Sequence, residues 1–417
     1  MTSPPAYRSS AWPVALACLV AVLGSGCAGD YVARTRDLRR DYEDGRYDEA
    51  ARGFDKEARG GKEINKLLAL MDQGMVLHAS GKYEESIKVL AEADKLSQQL
   101  DVVSVSEEAK VLLSSEREKA YRGEDFEKLM VSVLQALNYD QLGRYEDALV
   151  EVRRVNERML KMIRDEKKPY QQLAIARYLS GVLWEDAGHE DDAFIDYDTA
   201  NQLAGDLGSL AEPLVRLAKS TGRDEALQAL RKQYPTIKPL PLAASEGQLL
   251  VVVEAGRVPE KTNGTWHGEA KAELIAIPVF RDRPWTRDLG VSVNGGEPVA
   301  LTPVTSLEDV SKIHLNDRVG RMVAKQLAAL AIRAGVSAGI GAATDSKALG
   351  ALAFLALSYG NQPDLRSWLS LPAQFELARF RLPPGKHQVA LTTGGKQATR
   401  TVELKPRRVT LLVLRSH

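Results

Sequence analysis

The sequence predicts a multidomain chain, α first and α+β second: a helical solenoid, then a small antiparallel β-sandwich-like domain with a helical insertion. Three observations carry this. A short joint recurs as Gly45-Arg46-Tyr47-Asp48-Glu49-Ala50, Gly81-Lys82-Tyr83-Glu84-Glu85-Ser86, Gly143-Arg144-Tyr145-Glu146-Asp147-Ala148, Gly188-His189-Glu190-Asp191-Asp192-Ala193 and the shortened Gly222-Arg223-Asp224-Glu225-Ala226. Three prolines within 235–245 (PTIKPLPLAAS) then end the helical pattern. Beyond them the apolar period shortens to alternating runs between Gly, Pro and Asn turns.

Residues 1–26 have the grammar of a targeting segment: a basic start at Arg8, an apolar run from Trp12 to Leu23, then Leu23-Gly24-Ser25-Gly26-Cys27. Small residues directly before a cysteine resemble the bacterial lipobox, with the branched residue one place early, at Leu23. The resemblance implies cleavage before Cys27 and lipidation of its thiol, and Ala28 behind it implies an outer-membrane address facing the periplasm. An ordinary secretory signal and an uncleaved anchor are the alternatives, and the run is short for an anchor. Cys18 would leave with the segment. The mature chain would then keep one acylated cysteine, with no disulfide and no cysteine metal site. Such a lipid holds a chain at a membrane and leaves the rest soluble.

Residues 27–40 form a charged tether, and 41–234 are helical in pattern. In each joint a glycine able to take positive φ closes one helix, acidic residues sit in the first turn of the next, and a small residue faces the packing interface. Aligned on the joint glycine, Gly74 and Gly181 stand seven residues before it, and Ser86, Ala148 and Ala193 stand five after it. This order of small, aromatic, Gly, Tyr and Ala resembles the tetratricopeptide repeat, in which small positions let paired helices approach closely. The joints lie 36, 62, 45 and 34 residues apart, the longest gap holding an extra amphipathic segment at about 105–121. The expectation is an irregular superhelix with degenerate end repeats; an irregular all-α bundle is the alternative.

Residues 235–247 form the linker, and 248–417 the β-rich domain. Strands are expected at Gln248–Glu254, Ala272–Phe280, Leu289–Val293, Pro298–Leu301, Gln374–Arg381, His387–Thr392, Thr399–Leu404 and Val409–Leu414. Helical spacing returns over about 307–360. Its distal part, 336–359, is rich in Gly, Ala and Leu; a buried helix pair covering the sandwich is expected, against a membrane-touching or oligomer-forming hairpin. From Cys27 to Tyr234 there are 32 Lys+Arg against 41 Asp+Glu, and from Pro235 onward 23 against 15. An acidic front and a basic back can attract each other or meet different partners. No dense basic cluster with interleaved aromatics suggests nucleic acid.

The stretches 121–127, 136–139 and 151–154, with Asp364-Leu365-Arg366-Ser367-Trp368-Leu369-Ser370-Leu371-Pro372, Ala378-Arg379 and the Leu382-Pro383-Pro384-Gly385 turn, resemble a family of uncharacterised Gram-negative outer-membrane lipoproteins with tetratricopeptide-like N-terminal halves. That family has no assigned reaction. His267 and Glu269 lack a third ligand and belong to a surface loop; no catalytic grammar, metal set or cofactor loop is present. Asn138, Tyr139, Arg153 and Arg154 are the candidate partner contacts, since such grooves bind extended peptides and arginine forks suit carboxylates. The expectation is a non-enzymatic, lipid-anchored scaffold binding another envelope protein through its groove, in envelope or peptidoglycan assembly. A ligand-binding or enzymatic C-terminal domain, and an oligomer using 336–359, are the alternatives.

Overall fold

The computed structural model describes residues 31–102, 119–164, 173–265, 275–344, 346–359 and 363–417. The targeting segment with Cys18 and Cys27, most of the segment at 105–121, and His267 with Glu269 lie outside them.

After a short α1 (Tyr31–Arg34), the front half is a run of tetratricopeptide-like helix pairs: α2 (Arg36–Glu43) with α3 (Tyr47–Gly60), α4 (Lys66–Ala79) with α5 (Tyr83–Asp101), and α6 (Asp125–Gln141) with α7 (Tyr145–Arg164). Then come α8 (Ala174–Asp186) with α9 (Glu190–Ala204), and α10 (Ala211–Ser220) with α11 (Asp224–Gln233). Each recurring joint is the turn inside one pair. Its glycine takes a left-handed φ, between 69° and 82°, at Gly45, Gly81, Gly143, Gly188 and Gly222. The next amide reaches back to the carbonyl five residues earlier, as Arg46 to Asp41 at 2.7 Å, Arg144 to Tyr139 at 2.9 Å and His189 to Trp184 at 2.9 Å. This closes the helix end with the double turn that only glycine enters without strain. Within pairs the small positions decide the approach. A Cβ on Gly74 would lie 2.4 Å from the Leu90 side chain, and one on Gly181 would lie 2.5 Å from the Tyr197 ring.

The back half holds two four-stranded sheets. One has the order β10 (Val409–Ser416), β1 (Gly247–Ala255), β7 (Gln374–Leu382), β6 (Thr302–Ser306); the other has β5 (Val299–Ala300), β4 (Leu289–Val293), β8 (Gly385–Thr393), β9 (Lys396–Leu404). A separate hairpin pairs β2 (Glu260–Thr265) with β3 (Ala276–Arg281). The expected all-antiparallel sandwich needs one correction, because β1 and β10 pair in parallel. A parallel pair needs a long crossover, and the whole domain lies between these two strands. β2 and β6 were not expected; the polar Glu260–Thr265 run and the proline in Thr302–Ser306 hide their alternation.

β1 explains the layering. Leu249, Val251 and Val253 face the second sheet with Val291, Val389 and Leu391. Leu250 and Val252 face the helices, in one core with Met75, Leu134, Leu179 and Leu214. A strand buried on both faces reads as a continuous apolar run, here Leu249-Leu250-Val251-Val252-Val253. The result is three layers: helices, inner sheet, outer sheet.

The helical insertion comprises α12 (Leu307–Ala343), capped by the Ser306 hydroxyl accepting from the Asp309 amide at 3.0 Å, and α13 (Lys347–Tyr359). Val323, Val319 and Leu330 anchor α12 on Ile275 and Ile277 of the β2–β3 region. Past them the hairpin does not cover the sandwich as expected: Ile332, Val336, Ile340 and Leu352 are exposed. The sandwich has no bare apolar face to offer, since the helices cover one side of the inner sheet and the outer sheet covers the other.

These glycines make opposite predictions. Gly181→Ala, overpacked against Tyr197, should lower stability by about 1–3 kcal/mol. Gly320→Ala, in the middle of α12 with nothing within 4 Å of the new methyl, should raise it by roughly 0.5–1 kcal/mol. Denaturation midpoints of the two variants moving in the same direction would contradict this packing.

Candidate functional site

A solenoid with an open groove leaves a polar inner face on its first helices. Here those helices are buried nearly all round: Leu67 to His78 in α4 without a break, and all but Lys128 from Phe126 to Asn138 in α6. What covers them is the inner sheet and residues 363–373 of the same chain. The candidate site is therefore an internal interface, built from charged side chains set into apolar runs.

At one end, His78 of α4 stands between Asn138 Oδ1 at 2.6 Å and Glu254 Oε1 of β1 at 3.1 Å, all three fully buried. Burial alone would depress this imidazole, but the Glu254 carboxylate and the Asn138 hydrogen bond leave it above its ordinary value. In the middle, Asp72 accepts from the Tyr31 hydroxyl at 2.8 Å and the Ser370 hydroxyl at 2.6 Å. Glu127 accepts from the Trp368 amide at 2.8 Å and the Tyr121 hydroxyl at 2.6 Å. Arg366 donates to Asn65 Oδ1 at 2.9 Å and to the carbonyls of Ile64 and Lys119 at 3.0 and 2.9 Å. Residues 363–371 thus lie across the groove, extended to Trp368 and then turning, tied to α4 through Asp72 and to α6 through Glu127.

A second cluster gathers Glu124 of the α6 start with Lys261 at 2.8 Å, His314 at 3.2 Å and Arg318. Burial would raise the Glu124 carboxyl, yet Lys261, His314 and Arg318 hold it well below the usual range. His314 is raised despite burial, because Asp125 and Glu124 accept from its ring. At the far end Arg379 of β7 and Arg216 of α10 share Glu185 of α8, at 2.9 and 2.5 Å, and Arg408 pairs with Asp186 at 2.7 Å. Burial would raise Glu185 as well, and the two guanidiniums keep it low.

The partner contacts expected from sequence do not form one fork. Asn138 is fully buried, donating to Ser86 Oγ at 2.9 Å and serving His78, so it cannot meet a partner; its polarity serves the internal interface. Tyr139 is half-buried under the Arg144 guanidinium, 4.7 Å from its ring. Arg153 lies over Trp184 at 5.1 Å, and Arg154 pairs with Glu151 at 2.8 Å along its own helix. Sequence reasoning passed over Asp72, His78, Glu185 and Glu254 as site residues, and met Glu127 and Arg379 only inside stretches quoted for the resemblance. Their signal was a charged or polar residue inside an apolar run, as in Leu67-Leu68-Ala69-Leu70-Met71-Asp72.

Chemistry needs space as well as groups. The narrow pocket lined by Glu124, Glu127, Lys261, His314, Ser367 and Trp368 has about 10 Å³, room for roughly one water. Ser367 Oγ and Trp368 Nε1, buried there without protein partners, suit such a water. Among the described residues, no three His, Cys, Asp or Glu side chains converge on a metal position.

No protein-family model matches the chain, and no curated protein matches it. Among solved structures, MamA from AMB-1 is 16% identical, covering 49% of this chain and 89% of that one, with a TM-score of 0.31. MamA from MSR-1 is 16% identical over 49% of this chain and 94% of that one, at 0.30. A Podosopora anserina kinesin light chain with nearly identical TPR-like repeats is 16% identical over 50% and 96%, at 0.33. Likeness at that level carries no argument about function.

Two predictions follow from the buried charges. His78 and His314 bind protons more tightly folded than unfolded, so their stabilisation is complete below about pH 6.5 and is lost as pH rises through their raised folded values. The thermal midpoint should fall from pH 6.5 to 9, and a His78→Gln/His314→Gln variant should show a flatter curve there. Glu185→Gln, which leaves two buried guanidiniums short of charge, should cost about 3–5 kcal/mol. Glu246→Gln, at an exposed pair with Arg381, should change the midpoint little.

Proposed function

We propose that this chain is a non-enzymatic scaffold of the cell envelope, anchored at the outer membrane by a lipid on Cys27 and facing the periplasm. The observation that carries it is the closed groove. Helices and inner sheet are locked by buried ion pairs into one body, and the pocket inside the Glu124–Lys261 cluster has room for about one water. The inner helices of such a body are not free to take a peptide, which leaves its outer surfaces. Val150 and Leu160 on α7, with Ile195 and Leu203 on α9, are exposed large apolar residues on the outer helices. They are the places where another envelope protein would sit, in envelope or peptidoglycan assembly, instead of the filled groove. The lipobox resemblance at Leu23-Gly24-Ser25-Gly26-Cys27 supports the address.

Two readouts test this. A labelled fatty acid should enter the wild-type chain and not Cys27→Ala. In-cell crosslinking should capture an envelope protein with the wild type, less of it with Cys27→Ala, and none with Val150→Glu/Ile195→Glu. An empty catch, or one indifferent to the outer-helix charges, rejects the scaffold.

A further inference from the structure

An open sheet has two edges, and each offers unpaired N–H and C=O groups to another strand unless something covers them. On the β10 edge of the inner sheet, helix side chains do this. Asp186 Oδ1 accepts from the Val409 amide at 3.2 Å, and Gln141 Nε2 donates to the Leu411 carbonyl at 3.1 Å. On the β9 edge of the outer sheet, exposed Lys396 and Arg400 discourage pairing. The β6 edge of the inner sheet is different, because it is only half covered. β6 pairs with β7 from Gln374 to Leu377, and the residues before it, Val299 and Ala300, turn off to pair with Val291 and Gly290 in the outer sheet. From Ala378 to Leu382, β7 pairs with β1 alone.

Strand alternation decides which groups are left open. The Gln248 amide donates to the Arg408 carbonyl at 2.9 Å and the Gly256 amide to Ser416 at 2.8 Å. Even-numbered residues of β1 therefore bond toward β10, and odd-numbered ones toward β7. Leu249 stands opposite Phe380 and Val251 opposite Ala378, which places the backbone groups of Ala378, Phe380 and Leu382 on β1. Those of Leu377, Arg379 and Arg381 point the other way, as the Ala373 carbonyl does in accepting from the Glu308 amide at 3.0 Å. Leu377 meets Thr302 of β6. Among the described residues, no hydrogen bond takes up the backbone N–H or C=O of Arg379 or Arg381. Their side chains do not shield this edge. Arg379 leans back to Gln248 and Glu185, both at 2.9 Å, and Arg381 to Glu246 at 2.6 Å.

A groove of about 300 Å³ runs along this stretch, with Ser209 and Glu212 at the start of α10 on one side and Val299 and Ala300 on the other. Donors and acceptors alternating at strand spacing match an extended backbone. We propose that an extended segment of another polypeptide adds here as a strand, antiparallel to β7 and in line with β6. In such contacts main-chain pairing supplies the affinity and alternate side chains the selectivity. The added residue opposite Phe380 lies beside Val299, itself 48% exposed, and is apolar. Those opposite Arg379 and Arg381 face Ser209 and Glu212 and are polar. The open length takes about three residues, or roughly 10 Å. The inference rests on the scaffold reading, in which the same partner also meets the outer helices. So short a strand then acts as a second attachment, at the raised effective concentration the first contact creates.

The test follows amide hydrogen exchange, residue by residue, in the purified full chain in detergent micelles. Ala378 and Phe380 should exchange slowly, and Arg379 and Arg381 fast. The probe is a pool of capped pentapeptides built from Val and Thr in every order, at millimolar concentration. It should slow Arg379 and Arg381 about threefold or more and leave Ala378 unchanged. Arg381→Pro removes an N–H that the fold leaves unused, at an edge position where proline is tolerated, and should abolish the protection of Arg379. Arg381→Ala keeps that N–H, loses only the exposed pair with Glu246, and should retain the protection. Slow Ala378 and Phe380 amides report that Arg381→Pro has folded. Should it not fold, Val299→Asp sets a carboxylate beside the apolar position and should remove most of the protection. No protection of Arg379 by the pool overturns the proposal. Equal loss in both Arg381 variants would mean a site made by the side chain and overturns it too. So does protection that grows with the concentration of the chain alone, which assigns the edge to a second copy. Exchange is read on purified protein and does not depend on lipid at Cys27 or on capture by the outer helices, so this inference and the scaffold can fail separately.

Discussion

Everything in this molecule depends on pairing buried charge across the seam between helices and inner sheet. A carboxylate or guanidinium left alone in that seam would cost several kcal/mol, so the two halves are stable only in a register that matches every partner. The direction of pairing is consistent. Glu43, Glu124, Glu185 and Asp186 of the front half meet Arg257, Lys261, Arg379 and Arg408 of the back half. The acidic front and basic back seen in composition are thus largely answered within the chain. His78 with Glu254 runs the other way, and like His314 with Glu124 it is a pair whose charge depends on pH near neutrality.

That seam also decides what kind of binding the helices can do. An array of such pairs ordinarily presents its inner helices to an extended peptide. Here residues 363–371 and the inner sheet take that place, with Trp368 1% exposed and its amide on Glu127. Displacing them would strand Asp72, Glu127 and Arg366 together. The inner face is a structural surface, and the proposed contact with another protein is placed on the outer helices.

The helix pairs were legible because their determinant is local. A left-handed glycine followed by an acidic first turn marks a joint wherever it stands, and Gly74 and Gly181 announce close packing by being small at a fixed distance from it. Most strands were legible from alternation, and Leu249–Val253 showed a strand covered on both faces. The seam was not. Nothing near Asn138 in sequence says that Glu254, more than a hundred residues on, will share His78 with it. Asn138 was expected to meet a partner in an open groove, and it instead serves His78, because polarity on an inner helix does not say whether its partner is internal. The hairpin misled for a related reason. Apolar composition implies cover, and the cover was sought in the sandwich, whose faces are already occupied.

That mismatch is informative about the hairpin itself. The body of the chain also leaves Val150, Leu160 and Ile195 exposed on its outer helices, and the arm adds Ile332, Val336 and Ile340 beside glycines with open space around them. Isolated exposed apolar residues are ordinary on any surface, but a row of them on a projecting helix loses solvation free energy continuously unless something seats on it. The Val319, Val323 and Leu330 anchor holds the base of the arm against Ile275 and Ile277. It therefore restricts where the distal surface can point, and a surface held in place loses less entropy on meeting its partner than a flexible one.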